Sequence, residues 1–452
     1  MPAQKLIATA LTALVAAACL VQAAPKAPAT TRDGGPSQAE KAFQAGRNAL
    51  LRGDYDKAIE YLSKAVAAEP AKTSYRLNLA RAYRYGKKDD QAEGQLKAIL
   101  KAAPDHVEAG RLLGEIYADR RKWQQVVAVL EPLLQYRHDY TTYHLLAEAK
   151  YNLQDNEKAR KYFQEAIKLN PASAADHYQL GNIYLAGNFY ALAAEAYQKA
   201  LALGAEGPVL RYKLASAYFN LRNYFGTVSD IRVKAGQPDT ISGQWYLIEP
   251  VPGKKDTFRA APSRSAIYQL AKAVAEGIKD RPDIHFLKAN IYLNARRYAQ
   301  AHRMFNKIEK TIPKDDKALF YYYYAQASFG IGRYDEYLRL LGEAIKLDKA
   351  AYEPTLVEAY LKVAEQYNQA GELKKYIDYL KLAVAASPQT ASLHLKLGHA
   401  YAEARQYDRA VFHWRVVLDL EPEHPQRMRL LNLIGKHRGA APRAEDKPKA
   451  AG

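Results

Sequence analysis

Apolar and polar residues alternate with a helical period along most of this chain, and the same pattern returns at regular distances. The segments around Gly46, Gly181 and Gly398 each place a small residue twelve positions before an alanine. Segments with this pattern begin about 34 residues apart, with some insertions. A repeat of that length predicts pairs of antiparallel helices, each pair burying its apolar face against the next one.

The two helices of each predicted pair must approach closely, because one position on the first helix is always small. The repeats begin near residues 39, 73, 107, 140, 174, 208, 282, 318, 357 and 391. The small position is occupied by Gly46, Ala80, Gly114, Ala147, Gly181, Ala215, Ala289, Ala325, Ala364 and Gly398. A larger side chain there would separate the helices and leave voids in the core.

The ten repeats resemble the tetratricopeptide repeat (TPR) family, in which Leu-Gly on the first helix meets Ala on the second. The resemblance covers residues 39–424. It implies an all-α fold, a right-handed superhelical solenoid of about ten helical hairpins with a concave groove. It also implies a scaffold that holds a partner rather than an enzyme that transforms one.

The helical period fails between residues 221 and 264, inside the sixth repeat. Trp245 and Tyr246 begin an apolar run of β type, and Pro252-Gly253 is a type II turn signal. The sequence therefore predicts a β-hairpin over residues 242–259, inserted between the two helices of that repeat. Trp245 and Tyr246 could anchor a partner or form the core of a plug, and both interpretations stay open.

The first residues have the layout of a secretory signal peptide. Lys5 precedes an almost uncharged stretch, and the small residues Val21 and Ala23 flank a cleavage point. We therefore expect an exported bacterial protein, periplasmic or secreted, whose mature form begins at Ala24. The chain's one cysteine, Cys19, lies in this segment, so the alternative is an outer-membrane lipoprotein. Membrane association is expected only if Cys19 is lipidated.

These signals divide the chain into seven segments. The predicted segments are a signal peptide (1–23), a disordered linker (24–38), an N-terminal array ending with the first helix of the sixth repeat (39–225), a β-type insertion (226–262), a C-terminal array (263–424), a capping helix (425–437) and a disordered tail (438–452).

Charge and motifs narrow the classes of function. The net charge of +18 is scattered along the predicted helices, which favours a solvated basic surface over a nucleic-acid site. No nucleotide-binding loop, nucleophile elbow or His-Glu zinc motif stands out. His394 and His399 are five residues apart, off the spacing that places two metal ligands on one helix face. We expect no enzyme activity, no cofactor and no metal.

The candidate site is the groove wall, which the resemblance places on the first helix of each repeat, at the second, fifth, ninth, twelfth and thirteenth positions. In the central repeats these positions hold Tyr178, Asn182, Tyr212, Phe219, Asn220, Phe286, Asn290, Asn294, Tyr322, Gln326 and Phe329. Aromatic rings stack on sugars or on apolar peptide side chains, and amides both donate and accept hydrogen bonds. The first repeats carry Arg47, Arg81, Arg84 and Arg111 instead.

Two kinds of partner suit such a groove. One is a protein or peptide of an envelope complex, held during cell-envelope assembly or export, and the alternative is a polysaccharide strand. A clamp for a peptide C-terminus is not expected, because Phe43 and Arg47 stand where such clamps of the family have Lys and Asn, respectively. The central rings could also be core, since aromatic residues at helical spacing often pack inside.

Overall fold

The computed structural model describes residues 37–233, 241–242, 244–278 and 281–437. The predicted signal peptide, nearly all of the linker and the tail lie outside these ranges. The residues group into two compact units with the division after Ala159, called here the N-terminal unit and the C-terminal unit. Each unit is built from consecutive helices of ten to fourteen residues for the most part.

The N-terminal unit begins at Ser37, whose hydroxyl accepts a hydrogen bond from the Glu40 backbone N–H at 3.1 Å and caps the first helix. A 3₁₀ turn over Glu131–Gln135 extends the sixth helix. The helices are α1 (Gln38–Leu51), α2 (Tyr55–Ala68), α3 (Thr73–Tyr85), α4 (Asp89–Ala102), α5 (Val107–Asp119), α6 (Trp123–Leu130) and α7 (Tyr140–Asn152). The division between the units falls within α8 (Asn156–Leu169).

The C-terminal unit continues the same alternation of helices and carries the β-type insertion after its third complete helix. Its helices are α9 (Ala174–Ala186), α10 (Tyr190–Ala202), α11 (Pro208–Asn220), α12 (Ala266–Ala275), α13 (Pro282–Asn294), α14 (Tyr298–Ile308), α15 (Lys317–Gly330), α16 (Tyr334–Leu347), the short α17 (Lys349–Tyr352), α18 (Leu356–Gln369), α19 (Leu373–Ala386), α20 (Ala391–Glu403), α21 (Tyr407–Leu420) and α22 (Arg427–Lys436).

Helices that follow one another pair as hairpins. The pairs are α1–α2, α3–α4 and α5–α6 in the N-terminal unit, and α9–α10, α11–α12, α13–α14, α15–α16, α18–α19 and α20–α21 in the C-terminal unit. After the last pair, α22 packs on α21 and buries Leu430 and Ile434. The predicted fold class, an all-α array of TPR-like hairpins with a small antiparallel β insertion, is confirmed.

The small residues of the first helices lie directly against large side chains of the second helices. A Cβ atom on Gly181 would lie 2.7 Å from the Tyr197 ring, and one on Gly398 would lie 2.7 Å from the Trp414 ring. Both rings are fully buried. Glycine therefore lets a large aromatic residue of the partner helix fill the hairpin core, where even a methyl group would force the ring to move.

The insertion is a four-stranded antiparallel sheet, larger than the predicted hairpin. Its strands, β1 (Ser229–Arg232), β2 (Ile241–Ser242), β3 (Trp245–Pro250) and β4 (Thr257–Pro262), lie in the order β1-β4-β3-β2. The central pair β3–β4 corresponds to the predicted hairpin. Its turn closes with a bond from the Lys254 N–H to the Val251 carbonyl at 3.2 Å, and Gly253 has a φ of 75°, as a type II turn requires.

The sheet packs on the helices rather than standing apart from them. Tyr246 is only 6% exposed, and its hydroxyl oxygen lies 3.3 Å from that of Tyr292 on α13. Trp245 is half-buried. The carbonyl of Asn223 accepts a hydrogen bond from the Ala266 N–H at 3.0 Å, which joins the chain before the insertion to the start of α12. The sheet therefore lies between α11 and α12 in the chain and packs on α12, and Tyr246 has a packing role.

Candidate functional site

A cavity of about 580 Å³ lies along the first helices of three consecutive hairpins, α11, α13 and α15. Four of the predicted site residues line it, namely Tyr212 and Phe219 from α11 and Phe286 and Asn290 from α13. We call this site the aromatic cavity. Its volume is in the range of pockets that hold a small ligand or a short chain segment.

Asn290 supplies a buried hydrogen-bond acceptor to the aromatic cavity. The residue is 5% exposed, and its side-chain N–H donates to the Phe286 carbonyl at 2.9 Å. That bond fixes the orientation of the amide. The Oδ1 atom is buried and has no hydrogen-bond partner in the part of the chain that the structure describes. A buried acceptor left unpaired costs about 1–3 kcal/mol. The atom is covered by its neighbours, so a ligand recovers that free energy only if its binding uncovers Oδ1 and places a donor against it.

Tyr212 carries the polar edge of the aromatic cavity. Its hydroxyl donates a hydrogen bond to Asp283, and burial, together with the charge of Asp283, raises the pKa of Tyr212 to about 12. Arg281 donates to both carboxylate oxygens of Asp283, at 3.0 and 2.6 Å. Burial alone would raise the pKa of Asp283, but the bonds from Arg281 outweigh it and hold that pKa below its usual value. At neutral pH the edge is therefore a neutral phenol beside a paired carboxylate.

Phe286 both lines the aromatic cavity and packs below it. Its ring centroid lies 6.1 Å from that of Phe305, 6.3 Å from that of Phe320 and 6.1 Å from that of Tyr323. Phe305 and Phe320 are fully buried, and Tyr323 also lines the cavity. The ring of Phe286 therefore links the cavity wall to the hydrophobic core of the hairpins.

The other predicted residues lie elsewhere. Asn182 is buried and accepts hydrogen bonds from the Tyr197 hydroxyl at 2.9 Å and from Lys213 at 2.7 Å. The Lys213 ammonium group also lies over the ring of Tyr178, 5.0 Å from the ring centroid. Asn220 and Asn294 are exposed, and each donates to a backbone carbonyl of its own helix. These side chains do not line the aromatic cavity.

The predicted residues of α15 also face other neighbours. Tyr322 stacks on Tyr352 with ring centroids 5.1 Å apart, and Phe329 packs against Tyr337 at the same centroid distance. Gln326 is half-buried and hydrogen-bonded to Tyr337. This part of the predicted wall is filled by aromatic contacts within the protein.

The prediction from the five groove positions of each repeat missed the residues of the aromatic cavity that lie at other positions. Arg281 and Pro313 belong to connections that precede first helices, and Tyr323 is at the sixth position of its repeat. A rule based on helix positions cannot find residues of a connection. The Pro282-Asp283 pair at the start of α13 was a usable signal, because proline and a carboxylate both favour a helix N-terminus, where side chains can face the preceding repeat.

The described ranges show a buried histidine pair but no metal site. No group of three or more His, Cys, Asp or Glu residues in those ranges is placed to hold a metal ion. His394 and His413 face each other with their Nδ1 atoms 2.9 Å apart, so a single proton lies between them. Burial, and then the charge of His394, lowers the pKa of His413 to about 3.

Among the described helices, none has the length and apolar character needed to cross a membrane.

Models of the tetratricopeptide repeat family match residues 49–116, 144–208 and 178–224. The chain therefore contains tetratricopeptide repeats, a scaffold suited to protein–protein interaction. Proteins built from these repeats are generally non-catalytic.

Two related proteins and one solved structure illustrate the similarity. The TPR repeat-containing protein YpiA of Bacillus subtilis is 19% identical over 350 residues, which is 71% of this chain and 81% of YpiA. Cell division cycle protein 27 homolog A of Arabidopsis thaliana is 33% identical over 101 residues, 22% of this chain and 13% of that protein. MamA from Desulfovibrio magneticus RS-1 is 23% identical, covers 37% of this chain and 95% of its own, and superposes with a TM-score of 0.35.

One further relative has a catalytic name. Protein O-mannosyl-transferase TMTC1 of Homo sapiens is 26% identical over 172 residues, 36% of this chain but 19% of that protein. The chain spans a small part of the length of TMTC1 and of the Arabidopsis protein.

Proposed function

We propose that this chain is a non-catalytic scaffold that binds an extended segment of a protein partner in the aromatic cavity. The observation that supports this most strongly is the Asn290 Oδ1 atom, a buried acceptor without a partner among the described residues, on a wall whose charged side chains are Arg281, Asp283 and Asp316. A peptide N–H is a neutral donor that repeats along a chain, and it would satisfy that acceptor without bringing charge into the cavity.

The rest of the wall suits a peptide as well. Phe219 and Phe286 offer apolar surface to a side chain, while the Arg281–Asp283 pair provides a polar rim that can bond to main-chain groups. Most of the wall comes from rigid helices of packed hairpins, so a ligand would meet a largely preformed site and lose less of its binding free energy to ordering.

The cellular part of the proposal is that the partner belongs to a cell-envelope complex, and that the protein acts there during assembly or export. The sequence supports export through the layout of residues 1–23. The intact mass of the protein recovered from a bacterial envelope tests this. We expect a mature N-terminus at Ala24, whereas a lipidated Cys19 would replace the proposal with the lipoprotein alternative.

Asn290→Leu tests the binding site, because leucine has a similar volume but no acceptor. We expect peptides that the natural chain selects from an array of short synthetic peptides to bind the variant at least tenfold more weakly, with little change in the melting temperature. Asn294→Leu is the matched control, since Asn294 is one turn further along α13 and does not line the cavity. This control should bind within twofold of the natural chain.

A set of neutral glycan oligomers belongs in the same titration. Sugar hydroxyls can also donate to Asn290 Oδ1, so glycan binding that depends on Asn290, together with no peptide binding, would favour the polysaccharide alternative over the peptide proposal. Peptide binding that is equal in the natural chain and in both variants would remove the aromatic cavity as the site.

A further inference from the structure

A second cavity, of about 960 Å³, lies in the N-terminal unit along α1, α3 and α5. Five cationic and two acidic side chains line it. We call it the basic groove. All of its lining residues belong to the N-terminal unit, whereas those of the aromatic cavity belong to the C-terminal unit.

Most of the cations of the basic groove are already neutralised within the protein. Arg81 pairs with Glu108, and Arg111 pairs with Glu115. Arg84 pairs with Asp89 at 3.1 Å, and it also pairs with Asp119. The charges of these three arginines are therefore compensated within the protein. The pairs of Arg81 and Arg84 also connect different helices, whereas the pair of Arg111 lies within α5.

Two cations remain without a carboxylate partner within the described ranges, Arg47 on α1 and Lys87 after α3. Both side chains are exposed. The guanidinium of Arg47 lies 5.7 Å from the centroid of the Phe43 ring, which orients it without neutralising it. Lys87 has a left-handed backbone with φ of 56°, and it directly follows Gly86, the C-cap residue of α3. The charge left over in the groove is therefore positive and accessible.

The basic groove also exposes large apolar surface beside these cations. Leu51 is 81% exposed and Tyr85 is 59% exposed, and the Tyr85 ring stacks on that of Tyr55 at 5.8 Å between centroids. Apolar surface beside uncompensated cations is complementary to a chain that alternates apolar and acidic side chains. A purely ionic ligand would leave the leucine and the tyrosine pair unused.

We infer that the basic groove binds an acidic peptide segment with apolar side chains between its carboxylates. The carboxylates pair with Arg47 and Lys87, and an apolar side chain packs on Leu51 and Tyr85. The site differs from the aromatic cavity in both unit and chemistry, so its existence does not depend on the peptide proposal above.

The test uses the full chain and a short synthetic peptide that alternates Glu or Asp with Leu or Phe. We expect the double variant Arg47→Glu/Lys87→Glu to bind it at least tenfold more weakly than the natural chain. The matched control is Lys41→Glu/Arg121→Glu, which changes net charge equally. Lys41 is exposed on the same helix as Arg47, and Arg121 has the same left-handed conformation as Lys87, with φ of 55°, but neither lines the groove. The control should bind within twofold of the natural chain, and melting curves check that all variants fold.

Three results would overturn the inference. Equal weakening in both double variants would show a response to net charge alone. Equal binding of a peptide with Ser in place of Leu and Phe would show that the apolar surface has no part. Binding of an anionic polysaccharide or of phosphatidylglycerol vesicles that requires Arg47 and Lys87, without binding of the acidic peptide, would assign the groove to a different class of partner.

Discussion

The basic groove and the aromatic cavity are built in the same way but offer opposite chemistry. Each lies along the first helices of three consecutive hairpins, α1, α3 and α5 in one case and α11, α13 and α15 in the other. The first has five arginine and lysine side chains in its lining, whereas the second has four aromatic rings and an amide. The repeat therefore fixes where a wall forms, while the few side chains that face outward determine what the wall can bind.

The two walls are also held together differently. Neighbouring helices of the basic groove are joined by partly exposed ion pairs such as Arg81–Glu108. The wall of the aromatic cavity is joined by ring contacts that continue through Phe286 to buried Phe320. Exposed ion pairs contribute little to stability, whereas buried rings contribute several kcal/mol. Removing an aromatic ring from the wall of the aromatic cavity should consequently lower stability, whereas a change at the wall of the basic groove should affect mainly binding.

The largest difference is expected between Phe286→Ala and Tyr85→Ala. Removing the Phe286 ring takes away contacts with three aromatic rings and should lower the free energy of unfolding by about 3 kcal/mol. Tyr85 is 59% exposed, so its removal should cost less than about 0.5 kcal/mol. Denaturant unfolding followed by circular dichroism measures both. A small loss for Phe286→Ala would show that its ring is a free groove residue rather than part of the core.

The second difference is in the response to acid. In the C-terminal unit, burial keeps His413 neutral, with its pKa lowered to about 3, while an unfolded histidine has a pKa near 6.5. Below pH 6.5 this histidine therefore binds a proton in the unfolded state but stays neutral in the folded state. The free energy of unfolding consequently decreases as pH falls. For His413 alone this amounts to about 2 kcal/mol at pH 5.

In the N-terminal unit the comparable group is the partly buried Glu93, whose pKa is lowered by hydrogen bonds from Lys97 and Tyr117 in spite of the desolvation of its carboxylate. The stability it provides is present above the carboxylate's usual pKa of 4.5 and is lost as pH falls below that value. Melting temperatures between pH 7 and pH 5 should thus separate the natural chain from His413→Phe, with the variant losing less. A Glu93→Gln variant should follow the natural chain over this interval. If melting temperature falls equally with pH for the natural chain and for His413→Phe, burial does not keep the histidine pair neutral in the folded state.

The repeat architecture could be predicted from sequence because its cause is local. A small residue at Gly181 or Gly398 is required by a ring on the next helix, so the pattern of small and large residues records the packing directly. The sheet was only partly predictable. The hairpin β3–β4 has a turn signal at Pro252-Gly253. No such signal specifies the pairing of β1 with β4 or of the two-residue β2 with β3, and both β1 and β2 are short edge strands.

The site was harder to predict, since position on a helix does not reveal what fills the space in front of a side chain. Tyr212, Phe219, Phe286 and Asn290 meet at one cavity, but Tyr322 at an equivalent position is covered by Tyr352 from the short helix α17. Asn182 is engaged by Lys213 from the next hairpin. Both outcomes depend on residues of other repeats, and the repeat pattern does not specify them.

The smallest expected effect is the change of peptide affinity with salt concentration, which should differ between the two sites. Binding of the acidic peptide to the basic groove should weaken about fivefold between low and moderately high ionic strength, because Arg47 and Lys87 are exposed and their attraction to carboxylates is screened. A neutral peptide in the aromatic cavity should change by less than twofold, since its main contacts are a buried hydrogen bond to Asn290 and apolar surface.

Both peptides can be titrated by fluorescence anisotropy in the same salt series, so that general effects of salt on the protein cancel. The Arg47→Glu/Lys87→Glu variant should lose the salt dependence together with the acidic peptide's affinity, while it keeps the natural response toward the neutral peptide. Equal salt dependence at the two sites would mean that the net charge of +18, rather than the two exposed cations of the basic groove, governs recognition throughout the chain.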